Sequence, residues 1–204
     1  PDRIADAAGC AVIVYERLGH GGSDPLEEPR PPNYHMQEAK IVLPDVMDAF
    51  GVERAIFFGH SDGATIGLLF AALHPDRTLG VIAEAPHVFI EEISLEGIRA
   101  ARKDFDTGTL RGRLQTYHGE NTDSMFDAWA DTWLDPAYRD WSVEDQLPAV
   151  KAPVLLVQGE NDEYGTAEQL TRVADGVSGP SETLLVPDCG HAPHFEKREE
   201  IFEA

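Results

Sequence analysis

A serine with a glycine two residues away on each side, Gly59-His60-Ser61-Asp62-Gly63, stands where an apolar run, Arg54 to Phe58, gives way to a helical one, Ala64 to His74. When a strand turns into a helix over a single residue, that residue is forced into a strained backbone conformation and its side chain is lifted above the sheet edge. Gly59 and Gly63 are expected to leave out the Cβ atoms that would otherwise keep strand and helix apart. A serine hydroxyl is a poor nucleophile at neutral pH, so it needs a base within hydrogen-bond reach and a third group to orient that base. Both are present downstream, in the order Ser, acid, His that accompanies such a turn: Asp162 in Gln158-Gly159-Glu160-Asn161-Asp162, and His191 in Cys189-Gly190-His191. Glu84, just past an earlier apolar run, is the competing acid, whereas Glu160 and Glu163 read as solvated neighbours.

Two other clusters invite different chemistry. Cys189, His191 and His194 form a C-x-H-x-x-H group. A catalytic zinc site needs three well-placed ligands plus water, and His191 already has a role beside the serine, so no metal is expected. His194 then reads as a structural or pocket-rim histidine. Gly19, Gly21 and Gly22 resemble a phosphate loop, but no Lys-Ser/Thr follows them and a proline-rich stretch intervenes. They read as a tight turn near the site. His60 is assigned a packing and shaping role beside the serine, and no cofactor is implied.

The elements that must position these residues are legible as short apolar runs. Ala11 to Tyr15, Leu79 to Ala83, Val154 to Val157 and Thr183 to Val186 are continuous rather than alternating, as strands buried on both faces would be. Tyr34 to Phe50 shows apolar residues near helical spacing, with Gly51 placed as a C-cap, and the prolines between Pro25 and Pro32 require an exposed loop. Strands alternating with helices indicate an α/β fold, a mostly parallel sheet covered by helices on both faces. In such sheets reactive groups gather at the carboxyl ends of the strands, and Ser61, Asp162 and His191 all fall just past such ends.

Between Ala83 and Val154 lie about 70 residues without a strand signal, too long for a plain loop. They hold Trp129, Trp133 and Trp141. Phe89 to Gln146 is expected to form helices over the strand ends, a helical lid insertion, with Met125, Phe126, Trp129 and Trp133 as its apolar stripe. Trp129 and Trp133, with His60, are the candidate pocket residues. The predicted organisation is a core from 1–86, a lid over 87–150 and a second core part over 151–204.

Composition bounds the function classes. The 204 residues, 42% hydrophobic and 26% charged, suit one globular domain with a sizeable core. With 37 acidic against 16 basic residues the formal charge is −21, which disfavours nucleic acid or an anionic membrane as partner. The acidity reads as a solvated surface in preference to adaptation to high salt. The expected partner is a small-molecule substrate, and the oligomeric state is left open. Cys10 and Cys189 make no disulfide framework, and no apolar run approaches a membrane span, so a reducing, cytoplasmic setting is the default.

On the Ser61 turn, the stretch from Tyr15 to Asp24, Gly159-x-x-Asp162, and Gly190-His191 followed by Glu196, the chain resembles the α/β-hydrolase superfamily. The resemblance implies Ser61 as nucleophile, His191 as general base and then acid, and Asp162 as the group that fixes the imidazole. It also implies the backbone N–H of Asp62 as one oxyanion donor. Members open with three strands and a His-Gly loop that supplies the second donor, and nothing before Ala11 is long enough to hold them. The chain opens at Pro1 and closes in a short helical stretch, so segments are expected to be missing at both ends. The implied activity is that of a serine hydrolase on a small neutral ester. The alternatives with the same triad are a C–C bond hydrolase, an amidase or an iminopeptidase, and outside catalysis a binding protein that keeps the fold.

Overall fold

A computed structural model describes residues 1–27 and 29–203. Its sheet has four strands, Ala55–His60 (β1), Thr78–Glu84 (β2), Val154–Gly159 (β3) and Ser181–Val186 (β4), all parallel and in the order β1-β2-β3-β4. The helices are Asp2–Ala8 (α1), Tyr34–Gln37 (α2), Leu43–Ala49 (α3), Asp62–Leu73 (α4), Glu92–Thr107 (α5), Leu110–His118 (α6), Thr122–Leu134 (α7), Glu168–Gly176 (α8), Pro193–Glu196 (α9) and Arg198–Glu203 (α10). Parallel neighbours need crossovers, supplied here by α4, by the long segment holding α5 to α7, and by α8. The predicted helix over 34–50 is present, with a π-helical stretch, Glu38–Val42, between α2 and α3.

Alternate residues of β3 serve opposite faces, as the two-residue strand period requires. Val154 and Leu156 join the main core with Val81, Ala83, Leu170, Val173 and the buried side of α4. Leu155 and Val157 pack instead with Val186, Cys189, Leu184 and Ile201. Helix α4 is apolar nearly all round and buried from Ala64 to Ala71, as a helix pressed between a sheet and further helices must be. Coverage of the second face stops short of β1, where Ile56 and Phe58 are exposed.

One predicted strand is absent. Residues 11–17 have no regular secondary structure, and Ile13 and Val14 are 40% and 71% exposed rather than buried. A strand exists only through a hydrogen-bonded neighbour. Among the described residues none pairs with this run, so its β-branched composition has nothing to act on.

The segment between β2 and β3 is helical, as its lack of strand signals suggested, apart from one antiparallel bridge between Phe89 and Ser142. It has its own core of Ile98, Phe105, Met125, Phe126, Ala130, Trp133 and Tyr138. The glycine turn fastens it to the rest of the chain. Asn121 Nδ2 donates to the carbonyls of Gly21 and Ser23, and the Gly21 amide donates to His118 Nδ1. Gly19 and Gly21 have φ of 79° and 53°, so the three glycines form a tight turn.

Candidate active site

Three strands end in backbone that non-glycine residues rarely adopt: Ser61 after β1 has φ 54°, Ala85 after β2 has 48°, and Asp188 after β4 has 50°. Such strain persists where the surroundings over-determine it, and it collects at functional sites. At Ser61 the constraint is visible. Its amide donates to Glu84 O at 2.8 Å on one side, while its own carbonyl accepts from the Ala64 amide at 2.9 Å as α4 begins. A Cβ on Gly59 would strike the Gly63 carbonyl and the Ala64 nitrogen, so only glycine fits there. Gly63 is different, because a Cβ there would meet nothing within 4 Å. The reading that both glycines are needed for close passage is corrected: the backbone of Gly63 is what Gly59 must clear, and its own side-chain position faces open space.

The loops after β3 and β4 bring the acid to the histidine. His191 Nδ1 lies 2.8 and 2.9 Å from the two oxygens of Asp162, whose carboxylate also accepts the Tyr164 amide at 2.8 Å and Gln158 Nε2 at 3.2 Å. A carboxylate on Nδ1 places the ring proton there and leaves Nε2 as the basic nitrogen. Burial works to raise the Asp162 carboxyl, but the bond to His191 and the Tyr164 N–H outweigh it and hold the group below its ordinary value. The two loops are close because Gly159, at the end of β3, packs against the carbonyls of Cys189 and Gly190 where a Cβ would collide. The Asn161 amide bonds Cys189 O across the same junction at 2.8 Å.

Glu84 is committed elsewhere. Its carboxylate, fully buried, accepts the backbone amide of His194 at 2.6 Å and faces His194 Nδ1 at 2.7 Å. It thereby holds the segment three residues beyond His191 but does not touch His191 itself. Glu196 accepts the amides of Gly190 and Ala192, and His60 Nε2 donates to His191 O at 2.8 Å. The His60 ring sits 4.8 Å from that of His191 and 4.9 Å from that of His194. His60 therefore braces the histidine loop through its backbone. Ser61 follows directly in the chain, and no bond joins its hydroxyl to the imidazole in this structure. Such contacts often tighten only with substrate present.

The residues missed by sequence reasoning surround Asp62. Its Oδ1 accepts the Tyr34 hydroxyl at 2.8 Å and His35 Nε2 at 2.9 Å, and Arg17 reaches Oδ2 at 3.3 Å. Burial pushes this carboxyl upward, yet His35, Arg17 and Tyr34 together hold it far below the usual carboxylate range. His35, wholly buried, is lowered by burial, with the Tyr138 hydroxyl near its Nδ1 at 3.4 Å. Trp133 Nε1 donates to the Tyr34 hydroxyl at 3.0 Å, linking α7 to the residue after Ser61. The Asp62 amide is among the first of α4, which have no intrahelical acceptor. Nothing local in sequence announces this network, since its members come from positions 17, 34, 35 and 133.

Trp129 and Trp133 belong to the stripe that packs α7. Trp133 is buried with its ring 5.3 Å from that of His87, and Trp129 lies 6.3 Å from Tyr164, whose own ring is 4.7 Å from His191. Cys189 is buried among Val157 and Val186, and burial raises its thiol to about 11, as for an unreactive core cysteine. Among the described residues no helix is long and apolar enough to cross a membrane.

Comparison with known proteins bears on the fold and family. The chain is 26% identical to a 2-hydroxy-6-oxo-6-phenylhexa-2,4-dienoate hydrolase of Comamonas testosteroni over 220 residues, covering 95% of this chain and 75% of that protein. Est816, described as an N-acyl homoserine lactone degrading enzyme, superimposes with a TM-score of 0.60 at 27% identity, over 91% of this chain and 78% of that one. The esterase RhEst1 from Rhodococcus sp. ECU1013 does so with a TM-score of 0.71 at 19% identity, over all of this chain and 82% of that one. The model of the alpha/beta hydrolase family matches residues 3–204. The chain belongs to the alpha/beta hydrolase family.

Proposed function

We propose that the protein is a serine hydrolase that cleaves a small neutral carboxylic ester through an acyl-enzyme on Ser61. The observation that carries the reading is the Asp162–His191 pair, held at the same sheet edge as a serine in a strained strand-to-helix turn. Ser61 Oγ attacks the carbonyl carbon as its proton passes to His191 Nε2, and the resulting imidazolium is stabilised by Asp162. The carbonyl oxygen gathers negative charge against the Asp62 N–H. The leaving alcohol takes the proton from His191. A water then gives its proton to Nε2 and its oxygen to the acyl carbon, and the acid departs as Ser61 recovers its proton.

In this reading residues 87–150 act as a lid, and His60, Trp129 and Trp133 shape the pocket beneath it. The substrate is a neutral small molecule, in keeping with the acidic surface. A second reading, a C–C bond hydrolase with the same triad, is favoured by the likeness to the dienoate hydrolase over nearly the whole chain. Hydrolysis of p-nitrophenyl esters of increasing chain length, with the Ser61→Ala variant beside the parent, separates the two. Turnover that disappears in the variant supports the esterase. Turnover unchanged in the variant overturns it, and a folded parent inert to every ester shifts the assignment to the C–C substrate.

A further inference from the structure

His87 lies in the strained loop just past β2, two residues after Ala85, and is 4% exposed. Its backbone is pinned on both sides by Thr65 Oγ1, which donates to His87 O at 2.7 Å and accepts from His87 N at 3.2 Å. Its Nε2 is 3.0 Å from the carbonyl of Tyr164. A carbonyl can only accept, so Nε2 carries the ring proton and Nδ1 presents a bare lone pair. That Nδ1 is buried and has no hydrogen-bond partner among the described residues. The ring centroid lies 5.3 Å from that of Trp133 and 5.9 Å from that of His191. Burial, and after it the proximity of His191, lowers the imidazole below its ordinary value.

A buried acceptor left without a donor costs about 1–3 kcal/mol, and in a native protein it calls for an explanation. Here the ring is held through Nε2 and the backbone, its centroid lies 5.9 Å from that of His191, and its free nitrogen can only receive a hydrogen. We infer that His87 Nδ1 is a binding subsite for an uncharged hydrogen-bond donor, a hydroxyl or N–H group, carried by the substrate near its scissile bond. This deepens the acyl-transfer reading and rests on it. A site of this kind discriminates strongly, because an analogue lacking the donor leaves the nitrogen unpaired.

The test uses the Ser61→Ala protein, which forms no acyl-enzyme, titrated with phenyl butanoate and with its 2-hydroxy and 3-hydroxy counterparts. At least one hydroxylated ester is expected to bind roughly five- to tenfold more tightly than the parent ester. Two further variants isolate the nitrogen. In His87→Gln the amide reaches the Nε2 position and keeps the bond to Tyr164 O but loses the Nδ1 acceptor, so the preference should vanish. In His87→Asn the amide oxygen replaces Nδ1, so the preference should survive even if the Tyr164 bond does not. The ¹⁵N resonance of His87 Nδ1 should shift with the hydroxylated ester only. Equal or undetectable binding of all three esters, or a preference that persists in His87→Gln, overturns the inference. Turnover of the same esters by the protein with Ser61 intact reports separately on the esterase reading, which can fail while the binding preference stands.

Discussion

Three carboxylate–histidine pairs stand near one edge of this sheet, and their bond lengths hardly differ: 2.8 Å for Asp162–His191, 2.7 Å for Glu84–His194 and 2.9 Å for Asp62–His35. What surrounds them differs. The Asp162 carboxylate is 1% exposed and bonded on three sides, while the His191 side chain is 15% exposed and, among the described residues, makes its ring hydrogen bonds through Nδ1 alone. Glu84 closes on the backbone and the ring of a single residue, His194, which makes it a local clamp. In the Asp62–His35 pair the histidine is the buried partner, 1% exposed, and both its nitrogens face protein groups. A hydrogen-bond length therefore does not identify the reactive pair. What sets the Asp162–His191 pair apart is the partial exposure of its histidine and its place at the sheet edge that carries the strained Ser61.

The sharpest test of this contrast is catalytic. His191→Ala is expected to lower kcat on a cleaved ester by about 10⁴-fold or more, and His194→Ala by about tenfold or less. Equal losses, measured on folded protein, would remove the distinction between base and clamp. The second test is thermodynamic. Asp62→Ala leaves Arg17 buried without its counter-charge and removes three hydrogen bonds, so urea unfolding should show a loss of about 3–5 kcal/mol. Asp162→Ala, beside a partly accessible histidine, should lose about 1–3 kcal/mol by the same measurement. A larger loss at Asp162 would mean that the Asp162–His191 pair, and not the Asp62 network, is the structural one.

The smallest effect concerns pH. His60, which braces the backbone of His191, is lowered to about 4, chiefly by burial and then by the neighbouring His191. Because its folded-state value lies below the ordinary one near 6.5, the unfolded chain binds the proton first as the solution is acidified. Its contribution is complete above about pH 6.5 and is lost as pH falls toward 4. The unfolding free energy from urea titration should drop over that interval, and by about 1–2 kcal/mol less in His60→Gln than in the parent. Parallel pH profiles for the two proteins would show that His60 takes no part.

Much of this was legible from the residues in order. The runs Leu79–Ala83, Val154–Val157 and Thr183–Val186 are strands because each is short, apolar and bounded by turns, and Ser61 is strained because glycine and helix signals leave it a single residue in which to turn. The run Ala11–Tyr15 has the same composition but is not a strand, since pairing depends on a neighbour that composition does not specify. The Asp62 network was hidden for the same reason. Tyr34, His35 and Trp133 are unremarkable one by one, and only the crossing of α2, α4 and α7 makes them partners.

The sequence by itself determined the parallel α/β class, the helical segment between β2 and β3, and the serine, acid and histidine at the strand ends, because periodicity, turn chemistry and chain order are local properties. Only the tertiary structure decided that Asp162 and not Glu84 faces His191, that Gly59 is sterically required while Gly63 is not, and that His87 holds an unpaired acceptor beside the site. The first and the last depend on which groups meet across more than twenty residues of chain, and the second on how closely the backbone doubles back at the turn. Burial and hydrogen-bond partnership are set by that meeting rather than by any residue's own type.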